Sequence, residues 1–138
     1  MEYLVGAALA LVVCLSAGAA GFDRDRSFYP VILIVIASYY LLFAAMAESQ
    51  HAFLVELVVF SAFLAVAMLG SRRWPLLVAL GLIGHGLYDI AHVSLVENHG
   101  VPAWWGKFCL SFDFVAGLYL AVLFALRRRR QQGQDAAA

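Results

Sequence analysis

Residues 76–96 read LLVALGLIGHGLYDIAHVSLV. The stretch holds no Lys, Arg or Glu, and it carries three charged or imidazole side chains, His85, Asp89 and His92. About 20 helical residues, rising 1.5 Å each, cross the roughly 30 Å of hydrocarbon in a bilayer. His85, Asp89 and His92 stand at i, i+4 and i+7, which places them on one helix face. That face is a narrow stripe, whereas a helix at the surface of a soluble domain is polar over much of its circumference. The stretch therefore reads as a membrane-spanning helix that takes ionisable groups into hydrocarbon.

Four more apolar stretches surround it. They run over residues 3–21, 28–47, 52–70 (broken by Glu56) and 108–126 (which contains Asp113). The connections at 22–27, 48–51, 71–75 and 97–107 are short. Helix is the state that satisfies the backbone in lipid, and the alternating pattern of a barrel strand is missing. Pro30 and Pro75 lie near the starts of spans, where a missing N–H costs little. The expectation is a single domain over residues 1–138, an all-α five-helix transmembrane bundle followed by a basic tail at 127–138, with no room for a separate soluble domain. The first span is expected to be retained rather than cleaved as a secretory signal. Glu2 precedes it and Arg24 and Arg26 follow it, the reverse of a signal's charge order.

Composition narrows the function classes. Of 138 residues, 64% are hydrophobic and 13% are charged, about half the usual charged share of a soluble domain. Disorder needs the opposite balance. Nucleic-acid binding needs a basic excess, and nine Lys/Arg here are matched by nine Asp/Glu. Cys14 and Cys109 make no disulfide framework. The bilayer is the expected partner, in the cell (inner) membrane.

The basic residues set the expected orientation. With the C-terminus cytoplasmic, Arg24, Arg26, Arg72, Arg73 and the run Arg127 to Arg130 all lie inside, eight of the nine basic residues, and Lys107 alone lies outside. The N-terminus is then outside. The four-arginine run serves this topology, with contact to anionic lipid as a further use. Tyr3, Tyr29, Trp74, Trp104 and Trp105 fall near span ends, where an aromatic belt would sit.

Depth along the spans brings the polar groups together. Measured from each span's midpoint toward the outer side, Asp89 lies about 4–5 Å out, Asp113 about 6 Å, Glu56 about 7–8 Å and His92 about 9 Å, with His85 within about 2 Å of the middle. Five ionisable groups from three helices thus share one outer-half layer. Small residues repeat at i+4 on the fifth span (Gly117, Ala121, Ala125, headed by Asp113) and on the first (Gly6, Ala10, Cys14), as in close-packed membrane helices. Gly81, Gly84 and Gly86 should let neighbours approach the fourth span.

Three carboxylates without a Lys or Arg inside the spans must be neutralised by protons or by a cation. Two His with carboxylates match the ligand sets of Zn²⁺, Fe²⁺ or Mn²⁺. The expected metal ligands are His85, Asp89 and His92, with Glu56 and Asp113 as catalytic groups or further ligands. Plainer readings stand beside this. Any of the five can be interhelical glue. Glu48-x-x-His51 has the spacing of a di-iron element but sits at a hairpin, where a solvated turn is the simpler reading. His99 reads as a loop histidine able to fold back over the site, Ser38 and Ser49 as bundle-facing hydroxyls, Cys14 as packing, and Cys109 as packing or a ligand.

The run His85-Gly-Leu-Tyr-Asp89-Ile-Ala-His92, then Pro102, then Cys109-Leu-Ser-Phe-Asp113 resembles the C-terminal half of small bacterial integral membrane proteins of the DUF6010-like class. The resemblance covers about 60 residues, and Glu56 corresponds to a Glu of the preceding helix. It implies a membrane location and a shared polar site, and no activity. A fainter resemblance joins the His/Asp pattern to the zinc sites of alkaline ceramidases, from which no residue carries over.

Three functions remain open on the sequence. One is a metal-dependent membrane enzyme acting on a lipid-like substrate. Another is a proton- or cation-coupled transporter, as a homo-oligomer because five short helices leave little room for a pathway. The third is a structural or assembly subunit.

Overall fold

The computed structural model describes residues 1–135. It consists of α1 (Glu2–Ala20), a 3₁₀ turn (Phe22–Arg24), α2 (Phe28–Met46), α3 (Gln50–Arg72), α4 (Pro75–Leu95) and α5 (Trp105–Asp135). Among the described residues there is no strand, and all five helices are long and apolar enough to cross a membrane. The protein is an all-helical, multi-pass membrane protein by this measure.

The first four helices begin and end within about two residues of the expected spans. Their ends have local causes. Gly21 closes α1 in the left-handed conformation (φ 82°) and returns its N–H to Gly18 O. Glu48 also takes a positive φ, 53°, and lets Ser49 N–H reach back to Ala44 O at 3.1 Å, closing α2. Ser49 then caps α3, its Oγ accepting from Ala52 N–H at 3.2 Å. The Ser49 hydroxyl is thus spent on the hairpin, and that of Ser38 on Val35 O of its own helix. Pro75 opens α4 at a position where its missing N–H leaves no bond unmade.

The fifth helix departs from expectation. It starts at Trp105 and continues through Arg127–Arg130 to Asp135, so the basic tail is helical as far as the described residues reach; residues 136–138 of the expected tail lie outside them. Leu, Arg and Gln are good helix formers, and no Gly or Pro interrupts them before Gly133. At 31 residues α5 is about 46 Å long, more than the hydrocarbon thickness.

Helices alternate in direction. One end of the bundle gathers Arg24, Arg26, Pro75 and Arg127 around a common cavity and is called here the arginine end. The opposite end carries Met1, the 47–49 hairpin and the 96–104 loop. α4 packs on α5, α3 and α2, α3 lies beside α2, and α1 rests on α5. The small-residue stripes are where this happens. A Cβ on Gly117 would stand 2.7 Å from Ile83 Cγ1 and 2.9 Å from Ala79 O, and one on Gly6 would run into Phe108 O and Ser111 Oγ. Gly81 faces Leu33 and Val66, and Gly86 faces Asp113, as expected. Gly84 differs, because nothing lies within 4 Å of where its Cβ would be. Large apolar side chains such as Leu4, Val58 and Val93 point outward, which fits a lipid solvent.

Two belt assignments need correction. Tyr3, Trp74 and Trp104 are exposed, but Trp105 and Tyr29 are buried. Trp105 packs between Tyr39, Phe43 and Phe108. Tyr29 donates to Asp23 Oδ1 at 2.6 Å. Proximity to a span end does not distinguish a side chain turned to the interface from one turned under a loop.

Candidate polar site inside the helix bundle

The five polar residues expected in one layer, Glu56, His85, Asp89, His92 and Asp113, are all buried, and each is at most 3% exposed. The stripe on α4 faces inward because the faces beside it, at Val78, Ala79, Leu82 and Gly86, are also buried. Gly86 lets α5 approach near Asp113 Cβ and so sets Asp113 against α4. Glu56 enters from α3.

These residues divide into two linked clusters. In the first, His85 Nδ1–H donates to Asp113 Oδ2 at 2.7 Å, since a carboxylate only accepts. Asp89 Oδ2 lies 3.6 Å from the same nitrogen. Tyr40 of α2 donates its hydroxyl to Asp89 Oδ1 at 2.5 Å. Three atoms of this cluster, His85 Nε2, Asp89 Oδ2 and Asp113 Oδ1, are buried and without a hydrogen-bond partner among the described residues. His85, Asp89 and Asp113 each bring one donor atom into a group that spans no more than 4.8 Å, close enough to hold a metal ion.

In the second cluster both oxygens of Glu56 are used. His92 Nε2–H donates to Glu56 Oε1 at 2.6 Å, Asn98 Nδ2–H donates to the same oxygen at 3.2 Å, and Tyr88 Oη–H donates to Glu56 Oε2 at 2.9 Å. Asn98 also donates to Tyr40 O at 3.1 Å. Tyr40 joins the clusters, with its ring stacked on His92 at a centroid distance of 4.2 Å while its hydroxyl serves Asp89. His92 thus pairs with Glu56 rather than completing the group of His85 and Asp89, and Asp113 stands in that group.

Tyr40 and Asn98 were missed by the sequence reading. Tyr40 carried a usable signal, because it lies about 4 Å from the middle of its span on the same side as the other polar groups. A phenol counts as a polar group in lipid even though it stays uncharged. Asn98 carried none. It lies in a loop, and its burial follows from Gly100, whose backbone sits directly on the Phe43 carbonyl at the end of α2. The loop does fold back, but through Asn98; His99 is exposed, as are Glu48 and His51. Cys109 is buried one turn before Asp113 and stands outside the group of three.

A cavity of about 450 Å³ opens at this end of the bundle and reaches Tyr40, Asp89, His92 and Asn98, with Lys107 at its rim. Toward the arginine end the interior is apolar, filled by Cys14, Leu33, Val78, Ala79, Leu82 and Leu120. The site is therefore polar and approached from one end, and closed by hydrocarbon side chains on the other.

No family model, no curated protein and no solved structure matches the chain.

Proposed function

We propose that this chain is a multi-pass protein of the cell (inner) membrane, with its N-terminus outside and its C-terminus cytoplasmic. In this reading it binds a divalent metal ion through His85, Asp89 and Asp113 and acts on a lipid-like substrate. The observation that carries the reading is the set of three buried atoms without partners, two of them carboxylate oxygens, in a cluster with no Lys or Arg. Leaving two neighbouring carboxylate oxygens unpaired in a buried site is costly, and a cation held among His85, Asp89 and Asp113, which each bring one donor atom into a group no wider than 4.8 Å, is the partner that offsets this. One imidazole with two carboxylates suits Zn²⁺, Fe²⁺ or Mn²⁺ and leaves coordination positions open. A metal so held supplies Lewis-acid polarisation or an activated water.

The chain's own residues divide the remaining work. Glu56 already accepts three hydrogen bonds, so its role is to orient His92 and to hold the 96–104 loop rather than to serve as a base. Tyr40 orients Asp89. We assign the headgroup of that substrate to the cavity of about 450 Å³ beside Asp89, on the side read as outer from the arginine distribution. The arginine distribution supports the orientation. The likeness of the His85–Asp113 run to DUF6010-like proteins is also proposed as a shared site. A transmembrane relay through Asp89 and Asp113 has less support, since a relay needs polar groups beyond His85 and that interior is apolar.

Metal analysis of detergent-purified full-length protein tests the reading. We expect roughly one equivalent of Zn, Fe or Mn per chain. It should be lost in His85→Ala and Asp113→Asn and kept in His92→Ala. A wild-type protein that holds no stoichiometric metal, even after loading with each ion, overturns it. Flux driven by a pH gradient in proteoliposomes and abolished by Asp89→Asn would establish the relay instead.

A further inference from the structure

The arginine end holds a second cavity, of about 870 Å³, unrelated to the polar site. Five arginines from two segments surround it. Arg24 and Arg26 come from the α1–α2 connection, and Arg127, Arg128 and Arg129 come from the last turns of α5. A single acid, Asp23, lines the same space. Its carboxylate is already taken by two phenols, Tyr29 Oη at 2.6 Å and Tyr119 Oη at 2.7 Å. These bonds tie the connection to α2 and α5 and so hold the two arginine groups on either side of one space. Asp25 is likewise occupied, accepting from Ser27 N–H and Ser27 Oγ–H. Among the described residues no arginine has an acidic partner within 4.0 Å.

The deeper wall is of another kind. Pro30, Leu76, Val78, Leu120, Ala121 and Phe124 continue the cavity along the spans with hydrocarbon. A guanidinium rim above an apolar wall has the polarity of a phospholipid, with phosphate at the interface and acyl chain below it. Guanidinium groups match phosphate oxygens in pairs, and five cations facing one engaged carboxylate favour a ligand of net negative charge. We propose that this cavity binds the phosphate headgroup of an anionic membrane phospholipid, with an acyl chain along the α4–α5 side. A free phosphate would use the rim and leave the apolar wall bare, which is why the lipid is the better occupant. Diffuse attraction between a polybasic segment and an anionic leaflet is a different effect, because it counts arginines without regard to where they sit.

The test uses full-length protein in detergent, titrated with phosphatidylglycerol, phosphatidylcholine or inorganic phosphate. Retained lipid is read by native mass spectrometry and thermal shift. Phosphatidylglycerol should bind at least about tenfold more tightly than phosphatidylcholine, and the triple variant Arg24→Gln, Arg127→Gln, Arg128→Gln should lose about fivefold per guanidinium removed. The charge-matched triple Arg72→Gln, Arg73→Gln, Arg130→Gln lines none of this cavity and should stay within about twofold of wild type. Ala125→Trp fills the cavity with no change of charge and should also weaken retention, which keeps the test sound if the triple variant fails to fold. Equal loss in both triples would show diffuse attraction and overturn the site, as would equal binding of the two lipids or full binding by Ala125→Trp. Stabilisation by millimolar inorganic phosphate equal to that by phosphatidylglycerol would assign the cavity to a soluble phosphate and overturn the lipid.

Discussion

Glu56 and Asp113 are both fully buried carboxylates that accept from a histidine on α4, at 2.6 and 2.7 Å. Their surroundings differ. Glu56 collects His92, Tyr88 and Asn98, and neither of its oxygens is unpaired. Asp113 has His85 alone, and its Oδ1, the neighbouring Asp89 Oδ2 and His85 Nε2 remain unpaired among the described residues. The comparison separates two uses of buried polarity. A carboxylate whose acceptors are all filled locks helices together. One that keeps an open oxygen beside a second open carboxylate is suited to a cation. Sequence spacing treats the two alike, since both pair a carboxylate with one histidine of the same stripe.

The largest expected effect tests the locked cluster. Glu56→Ala strands His92, Tyr88 and Asn98 together and should cost roughly 3–5 kcal/mol in thermal or denaturant unfolding in detergent. Asp113→Asn should cost clearly less stability in metal-free protein, because it removes one of two neighbouring open carboxylates and keeps an amide oxygen to accept from His85 Nδ1–H. If the two losses are equal, the distinction between the clusters fails.

Gly100→Ala acts on the loop that delivers Asn98. Its Cβ would fall on the Phe43 carbonyl, which the backbone must move to avoid. The expected cost is about 1–3 kcal/mol. Faster amide exchange should appear across residues 96–104 and spread to Tyr88 and Glu56 rather than to Asp113. Exchange that spreads equally to both clusters would mean the loop supports the whole layer.

Tyr40→Phe sharpens the boundary between the clusters. It deletes the hydroxyl bond to Asp89 and keeps the ring on His92. We expect about 1 kcal/mol, since one hydrogen bond is removed, and a larger proportional change in metal affinity than in stability. A change in stability alone would make Tyr40 part of the lock.

The smallest effect has the opposite sign. Gly84→Ala meets nothing within 4 Å and gains helix propensity, so it should be neutral or stabilise by up to about 1 kcal/mol. The same change at Gly81, against Leu33 and Val66 at 2.7 Å, should destabilise. A clear loss at Gly84 in detergent would reveal a neighbour from a second copy of the chain.

Most of the architecture was legible in the order of residues. Five apolar stretches of bilayer length can only be helices in lipid, and local chemistry at Gly21, Ser49 and Pro75 ends or begins them. The α4 stripe and its agreement in depth with Glu56 and Asp113 identified the polar layer, because helical rise and periodicity are properties of a single segment. Three things required the tertiary structure. Which carboxylate meets which histidine depends on how α3 and α5 are rotated and how deeply each packs on α4, and small residues such as Gly86 and Gly117 set that through contacts between helices. The loop residue that enters the bundle is Asn98 and not His99, because the close fit of Gly100 on Phe43 fixes the loop's path. Tyr29 and Trp105 turn inward although their positions suit a belt, because a half-buried acceptor, Asp23, and an aromatic cluster wait for them there. The sequence by itself determined how many ionisable groups the spans carry and at what height along them; which of them are satisfied, and so which are free to bind something, was decided by packing between helices distant in the chain.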